Sequence, residues 1–283
     1  MKDIVFRCEL ALSRDHRRPF YVIGHMVNSL EEVDDFVEGG ANALEADIEF
    51  ADDGTVQGTF HGAPCDCFRG CFKRESIVDY LEYIRDATGY DDSRYKNKLN
   101  LLLLDLKTAK LGQSAKKKAG LTLAMNLWEH LWEGVNPKNM VNVLLSIGYV
   151  NDKRVLKSVL AYFNRKGRRH VLDKIGFDVG MNDPLEKIAV MYKQLGIKRH
   201  RHGVDGIITN RPDNVLYVLN SEPYRDHLRV ADVKDSPWTR YDEEMARNDT
   251  DHTTEVLGGE DEGKGNKTLS WLKPSQITSL WTH

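Results

Sequence analysis

The feature of this sequence that most constrains its fold is the segment Leu99–Leu104, which reads LNLLLL and continues directly into Asp105. A near-continuous apolar run of this length is typical of a parallel β-strand covered on both faces. Six further segments predict short strands: Arg18–Gly24, Ala43–Phe50, Val56–Phe60, Val141–Ile147, Val171–Val179 and Gly203–Asn210. Helical patterns lie between most of them, and strands that alternate with helices indicate βαβ units and a parallel sheet.

Capping residues mark the starts of the helices. Ser29 and Glu32 form a capping box before one apolar stripe, and Pro184 followed by Glu186 predicts the start of a later helix. The other predicted helices are Ser76–Thr88, Ser114–Glu133, Lys153–Arg165 and one that begins at Pro212. The chain of 283 residues has room for one (β/α)8 TIM barrel, which typically needs about 250 residues. Seven predicted strands are one fewer than such a barrel needs to close.

The charge balance and the ends of the chain limit the possible classes of protein. The 40 lysines and arginines against 43 acidic residues give a formal net charge of −3, which argues against a nucleic-acid binder with a basic surface. No segment approaches the roughly 18 apolar residues that span a bilayer. Met1–Ser13 contains no apolar run long enough for a secretory signal, so a cytosolic protein and a precursor with a missing start both stay open. Residues 239–283 are acidic and contain a segment poor in apolar residues, and we expect most of this tail to be disordered.

Carboxylates alternate with apolar residues in Ala43–Phe50, which reads ALEADIEF. The alternation places Glu45 and Asp47 on the strand face opposite the one that packs on helices. In a parallel barrel that face points inward, near the rim where the strands end, and Asp105 ends another strand at the same rim. Three converging carboxylates suit Mg²⁺ or Ca²⁺, which prefer hard oxygen ligands. The alternative is that Glu45 and Asp47 face solvent on an edge strand.

Two histidines and one lysine stand beside these carboxylates. His25 and His61 each follow an apolar strand and lie next to a glycine, and a pair of histidines can serve as general acid and general base. A lone histidine at a strand end is more often structural, but the neighbouring carboxylates favour function. Lys107 lies two residues after Asp105, on the same face of the strand, and is suited to hold a phosphate oxygen.

Three of the four cysteines, Cys65, Cys67 and Cys71, lie within the seven residues CDCFRGC, and the fourth is Cys8. A zinc site would need a second ligand cluster at suitable spacing, and the sequence contains none. The spacing favours a small disulfide loop between Cys65 and Cys71. Such a loop implies an oxidising compartment and leaves Cys67 without an assigned partner.

Several of these motifs occur in an order that matches a known family. They are GHMVN with His25, ALEADIEF with Glu45 and Asp47, His61 with CDCFRGC, DLKT from Asp105 onward, GVDGIITNRPD and VADVKDSPW. Together they resemble the arachnid phospholipase D family, also called sphingomyelinase D or dermonecrotic toxins. That family is part of the wider group of glycerophosphodiester phosphodiesterase-like barrels. Any one of the motifs alone would be a weak signal, whereas their combination is specific.

The resemblance implies a fold and an activity. The fold would be a distorted TIM barrel over residues 14–238, with VADVKDSPW as a C-terminal plug. Family members cleave the headgroup from sphingomyelin or lysophosphatidylcholine and form a cyclic phosphate by attack of the lipid's own hydroxyl. A secreted monomer that acts on lipid at a membrane surface, without nucleic acid, is therefore expected. The implied site comprises the Mg²⁺ ligands Glu45, Asp47 and Asp105, the catalytic His25 and His61, the phosphate-placing Lys107 and Asn210, and Asp66, which would orient a catalytic histidine.

The sequence departs from the family after Gly196, where it reads IKRHRHGVDGIITN. Family members carry some tens of residues more at this point, including a pocket-lining strand and a cysteine that pairs with the middle cysteine of the loop. The barrel is therefore predicted to be incomplete, and the departure accounts for both the missing strand and the left-over Cys67. Two alternatives to the lipid enzyme stay open. One is a glycerophosphodiester phosphodiesterase acting on small diesters, and the other is a catalytically inactive, truncated family member.

Overall fold

The computed structural model describes residues 17–65, 69–165, 167–180, 183–197, 206–222 and 224–238. Strands and helices alternate along most of this range, and the helix Gln113–Asn126 continues directly into a π-helical segment, Leu127–Trp132. The elements are β1 (Arg18–Gly24), α1 (Leu30–Glu38), β2 (Ala43–Phe50), β3 (Val56–Phe60), β4 (Arg74–Ser76), α2 (Ile77–Thr88), β5 (Leu101–Leu106), α3 (Gln113–Asn126), β6 (Asn142–Ile147), α4 (Lys153–Phe163), β7 (Ile175–Val179), α5 (Leu185–Leu195), β8 (Gly206–Thr209), α6 (Pro212–Leu219) and β9 (Leu228–Val230).

Six strands form a continuous parallel sheet in the order β8-β1-β2-β5-β6-β7. The start of β1 also pairs in parallel with β9, while β3 pairs antiparallel with the end of β2 and with β4. Over the described residues this sheet does not close, because β7 pairs only with β6 and β8 only with β1. The structure thus confirms the α/β class and the incomplete barrel.

Several local predictions need correction. The apolar strand runs over Leu101–Leu106 rather than Leu99–Leu104, so Asp105 lies inside the strand. Val56–Phe60 is antiparallel, because only a short turn separates it from β2. The two three-residue strands β4 and β9 were not predicted. Arg169–Lys174 forms a helical turn where a strand was predicted to begin. The predicted tail and residues 203–205 lie outside the described residues.

The strands of the sheet have two differently composed faces. Leu44, Leu102 and Val143 represent the outer face, which packs against the helices in the larger apolar core. The inner face is apolar at the end where the strands begin, and the lower core consists of Tyr21, Ile23, Ala43, Leu101, Leu103, Leu144, Ala231 and Trp238. Since the period of a strand is two, the same inner face presents polar residues further along.

The last described segment covers the lower end of the barrel. Asn42 Nδ2 donates to the carbonyl oxygen of Ala231 over 2.7 Å, and Asn100 Nδ2 donates to the carbonyl oxygens of Asp232 and Asp235. Trp238 is buried, and its ring nitrogen donates to the carbonyl oxygen of Asp173. The segment holds its place through these buried hydrogen bonds and leaves the other end of the barrel accessible.

Candidate metal and catalytic site

Three carboxylates converge at the end of the barrel where the parallel strands finish. Asp47 on β2 pairs in register with Asp105 on β5, and Glu45 precedes Asp47 by two residues on the same inner face. One carboxylate oxygen from each residue lies within 4.8 Å of the other two. Glu45 and Asp47 are buried on a strand with neighbours along both edges, so the solvent-facing alternative is excluded.

The turn after β1 fixes two of these carboxylates. Met26 has a φ of 50°, which is uncommon for a residue with a side chain. Its N–H donates to Glu45 Oε2 over 2.7 Å. The Asn28 side chain donates through Nδ2 to Asp47 Oδ2 over 2.8 Å and accepts the Asp47 N–H at Oδ1 over 2.9 Å. Asn28, which the sequence analysis quoted but did not assign, therefore orients Asp47.

Charge accumulates around the cluster. Burial, together with the neighbouring Asp47, raises the pKa of Glu45 to about 8. Lys107 Nζ lies 2.7 Å from Asp47 Oδ1 and 2.6 Å from Asp105 Oδ2. Although partial burial opposes its charged form, the carboxylates of Asp105 and Asp47 raise the pKa of Lys107. The ammonium group thus neutralises part of the cluster.

The residues present fit a divalent cation of the Mg²⁺ type. All three donors are carboxylate oxygens, which Mg²⁺ and Ca²⁺ prefer over nitrogen or sulfur. Burial first, and the charge of Asp47 second, raise the pKa of Glu45, and a bound divalent cation would favour the ionised form against both. The buried Asn28 would serve as an outer partner of Asp47 if a cation bound there, as metal sites commonly require.

Two polar residues extend the level of Asp47 and Asp105 across the sheet. Ser146 on β6 pairs in register with Asp105, and Asp178 on β7 pairs with Ser146. Ser146 Oγ lies 3.0 Å from Asp178 Oδ2, and burial raises the pKa of Asp178. The sequence analysis missed both residues, although each interrupts an apolar strand at an inward-facing position.

His25 occupies the end of β1, opposite the end of β8. Its Nδ1 lies 3.2 Å from Asn210 Oδ1, and the Arg69 guanidinium also donates to that oxygen over 3.2 Å. Because arginine can only donate, the amide oxygen is the acceptor, and His25 then needs its proton on Nδ1. In this assignment Nε2 of His25 is the unprotonated nitrogen of the neutral ring.

His61 directly follows β3, which pairs antiparallel with the end of β2 from Ile48 to Phe50. Its Nδ1 lies 2.7 Å from the carbonyl oxygen of Gly62, which can only accept a hydrogen bond. The proton is therefore assigned to Nδ1, and Nε2 is again the unprotonated nitrogen of the neutral ring. The loop that follows contains the disulfide between Cys65 and Cys71, as the spacing predicted. Asp66 and Cys67 lie outside the described residues.

The structure thus combines an incomplete α/β barrel with a carboxylate cluster on the inner face of its strand ends, and His25 and His61 lie before and after the two carboxylates of β2 in the sequence. The chain matches the family described as dermonecrotic toxin SPH over residues 15–202 and again over residues 198–238. These matches cover most of the chain, which therefore belongs to this family. The two matches overlap at residues 198–202, close to the point after Gly196 at which the sequence is predicted to depart from the family.

Individual relatives agree with this assignment. The chain is 38% identical to a dermonecrotic toxin SPH of Ixodes scapularis, with 87% of this chain and 84% of the relative covered. It is 34% identical to dermonecrotic toxin Hl-PLD1 of Hemiscorpius lepturus, over 80% of this chain and 86% of the relative. It is 32% identical to dermonecrotic toxin LiSicTox-alphaIA2bi of Loxosceles intermedia, over 80% of this chain and 90% of the relative.

Solved structures of phosphodiesterases show only a distant likeness. A phosphodiesterase of Oleispira antarctica in complex with sn-glycerol-3-phosphate has a TM-score of 0.40 at 15% identity, with 71% of this chain and 97% of that chain covered. A putative glycerophosphoryl diester phosphodiesterase of Silicibacter pomeroyi has a TM-score of 0.39 at 14% identity, with 72% and 95% covered. These values are too low to support a statement about activity. Among the described residues, no helix has the length and apolar character needed to cross a membrane.

Proposed function

We propose that this chain is a Mg²⁺-dependent phosphodiesterase of the phospholipase D type that releases choline from sphingomyelin or lysophospholipids and forms a cyclic phosphate. The observation that carries the proposal is the cluster of Glu45, Asp47 and Asp105, whose ligand atoms lie within 4.8 Å of one another. Family membership supports the reaction class. The chain is accordingly a phosphodiesterase-type enzyme of its family, expected to be secreted and monomeric and to meet its substrate at a lipid surface.

The three carboxylates would hold Mg²⁺, and the bound cation would draw charge from the substrate phosphate. Lys107, whose ammonium group already lies between Asp47 and Asp105, would contact a phosphate oxygen. Asn210 would contact the phosphate from the end of β8. With cation, ammonium and amide around one phosphate, the site favours a substrate whose charge increases in the transition state.

The two histidines would move the protons. Nε2 of one imidazole accepts the proton of the lipid hydroxyl as its oxygen attacks phosphorus, and a new P–O bond closes the cyclic phosphate. The other imidazole, which would carry a proton on both nitrogens at this point, donates its Nε2 proton to the choline oxygen as the bond from that oxygen to phosphorus breaks. Hydrogen bonds from Nδ1 of His25 and of His61 fix both rings for this exchange.

The incomplete barrel favours a second candidate, a family member that binds the cation and the lipid phosphate without turnover. The supporting observation is that β7 and β8 do not pair with each other over the described residues. Substrate would then meet an open side of the barrel, and water would reach the reacting groups. Both candidates use the same carboxylates, so a measurement of turnover together with cation binding separates them.

The test is choline release by the purified, folded chain from sphingomyelin, lysophosphatidylcholine and glycerophosphocholine, with Mg²⁺ and with EDTA. We expect Mg²⁺-dependent release from the lipids that is lost in His25→Ala and His61→Ala. His130→Ala is the matched control, because His130 pairs with Glu82 on the outer side of the helices. Release from glycerophosphocholine alone would support an enzyme for small diesters. A Mg²⁺-induced rise in melting temperature without release would support binding without turnover. The absence of both choline release and the rise in melting temperature would contradict both candidates.

A further inference from the structure

Arg69 lies inside the Cys65–Cys71 disulfide loop but makes its contacts outside it. One of its terminal nitrogens donates to the carbonyl oxygen of His25, and the other donates to the carbonyl oxygen of Met26 over 2.7 Å. The guanidinium therefore holds two successive peptide groups of the turn after β1. The first of these peptide groups also contains the Met26 N–H, which donates to Glu45. The second lies shortly before Asn28, which donates to Asp47.

The same guanidinium has two further polar partners. It pairs with Glu32 Oε1 over 2.8 Å, and both side chains are largely buried. Glu32 Oε2 accepts the N–H of Asn28 over 2.9 Å, and Asn28 orients Asp47. Continuous hydrogen bonds thus connect Arg69 to one of the proposed metal ligands.

The remaining contact reaches the histidine. Arg69 donates to Asn210 Oδ1 over 3.2 Å, and that oxygen faces His25 Nδ1 over the same distance. An amide can present either its oxygen or its nitrogen to a neighbour, and the arginine, which only donates, selects the oxygen. With the oxygen facing it, the imidazole keeps its proton on Nδ1.

We infer that Arg69 is a positioning residue: it fixes the turn after β1 and, through the Asn210 amide, holds the His25 imidazole in the tautomer that carries its proton on Nδ1. This inference rests on the proposed function for its catalytic consequence, but its structural content can be tested without turnover. It also gives the disulfide loop a role, since the Cys65–Cys71 crosslink restricts the segment that carries the guanidinium.

Arg74 offers a control for Arg69 in the same part of the chain. Arg74 also pairs with a glutamate, Glu49, over 2.5 Å, and its guanidinium stacks 4.5 Å from the ring of Phe60. Arg69 stacks in the same way, 4.7 Å from the ring of Phe36. The two arginines differ in two ways: only Arg69 contacts the turn after β1 and the Asn210 amide, and its side chain is 15% exposed against 60% for Arg74.

The experiment compares Arg69→Met, Arg69→Lys and Arg74→Met by ¹⁵N NMR of labelled histidine at about pH 8.5, where an ordinary imidazole is neutral. We expect wild type and Arg74→Met to keep the proton of His25 on Nδ1. Arg69→Met should show a mixture of tautomers and faster amide exchange at Met26 and Asn28. Arg69→Lys keeps a positive charge and should fall between them. Melting curves verify that each variant is folded.

Turnover is the second readout. In Arg69→Met we expect kcat for choline release to fall roughly 100-fold while KM changes little, since misplacement of a catalytic group by about 1 Å costs this much. An unchanged tautomer and unchanged exchange in folded Arg69→Met would overturn the inference, whatever the activity. A chain without turnover that nonetheless shows the tautomer change would support the inference and count against the proposed function alone.

Discussion

The two sides of the incomplete barrel differ in how firmly they are packed. Strands β2, β5 and β6 are buried along almost their whole length, and each has neighbours along both edges. Strand β8 is partly exposed at each of its four residues and pairs only with β1 among the described residues. A site that draws on both sides therefore has components of unequal rigidity.

The components divide by chemistry. The proposed metal ligands Glu45, Asp47 and Asp105 belong to the well-packed side, whereas Asn210 follows β8 and is exposed. His25 lies between the two sides, because its strand β1 joins β2 to β8. We therefore expect that loss of a segment next to β8 spares cation binding but weakens the placement of substrate and of His25.

The largest expected effect comes from the well-packed side. Asp47→Asn removes a charged ligand, and we expect Mg²⁺-dependent choline release to fall more than about 100-fold, since loss of an outer partner alone costs about 10–100-fold. Mg²⁺ should no longer raise the melting temperature of the variant. Asp178→Asn is the control, because it removes a half-buried carboxylate at the same level of the sheet outside the cluster. Equal losses in both variants would contradict the assigned ligand set.

The outer partner of Asp47 should give a smaller effect. Asn28→Ala removes two hydrogen bonds to Asp47, so we expect the Mg²⁺ concentration for half-saturation to rise about 10–100-fold. Asn42→Ala is matched to it, since Asn42 is also buried and makes two hydrogen bonds, to Val22 and Ala231, at the opposite end of the barrel. That control should lose stability and keep its Mg²⁺ affinity. A rise in both variants would mean that general loosening, not orientation of Asp47, controls the cation site.

The raised pKa of Glu45 predicts a pH dependence in the metal-free chain. In the folded state its pKa is about 8 against an ordinary value of 4.5, so the folded chain retains a proton that the unfolded chain loses between these values. With EDTA, the free energy of unfolding should therefore fall as pH rises from about 4.5 to 8 and become level above. Saturating Mg²⁺ should reduce this slope, because it stabilises the ionised carboxylate.

Glu45→Gln tests the origin of that slope. The amide cannot titrate, so denaturant unfolding across the same pH range should show a weaker dependence in EDTA. Some slope should persist, because burial also raises the pKa of Asp178. The full wild-type slope in Glu45→Gln would show that other groups produce it.

The elements that the sequence predicted well share one property, a strong local period. The alternation in Ala43–Phe50 gave the strand, its inward face and two of the three clustered carboxylates, and the structure has the same bounds. Capping at Ser29 likewise gave the first helix, which ends before Gly39. Local periodicity is reliable where one face of an element is buried, because a slip would expose its apolar residues.

What the sequence did not predict depends on contacts between distant residues. Asn28 lies 19 residues from Asp47, and Arg69 lies 141 residues from Asn210. No period connects such partners, and only the pairing of β1 with both β2 and β8 brings them together. The antiparallel direction of β3 has a local cause instead: the connection from Phe50 to Val56 is too short for a parallel crossover, and the strand pattern alone does not show the direction.

The last prediction tests whether the cation site is energetically independent of β7, the strand at the open edge of the sheet beside β6. Gly176 on β7 lies against Trp238, and a methyl group added there would come within 2.2 Å of the indole ring. Gly176→Ala should therefore lower the free energy of unfolding by about 1–3 kcal/mol, as overpacking does. Gly148→Ala, where an added methyl group meets no atom within 4 Å, is the control. We expect Gly176→Ala to leave the Mg²⁺ half-saturation unchanged, because β7 contributes no ligand to the cluster. A changed Mg²⁺ affinity in this variant alone would show that strain on β7 reaches β5 through β6, and that the cation site is not energetically independent of β7.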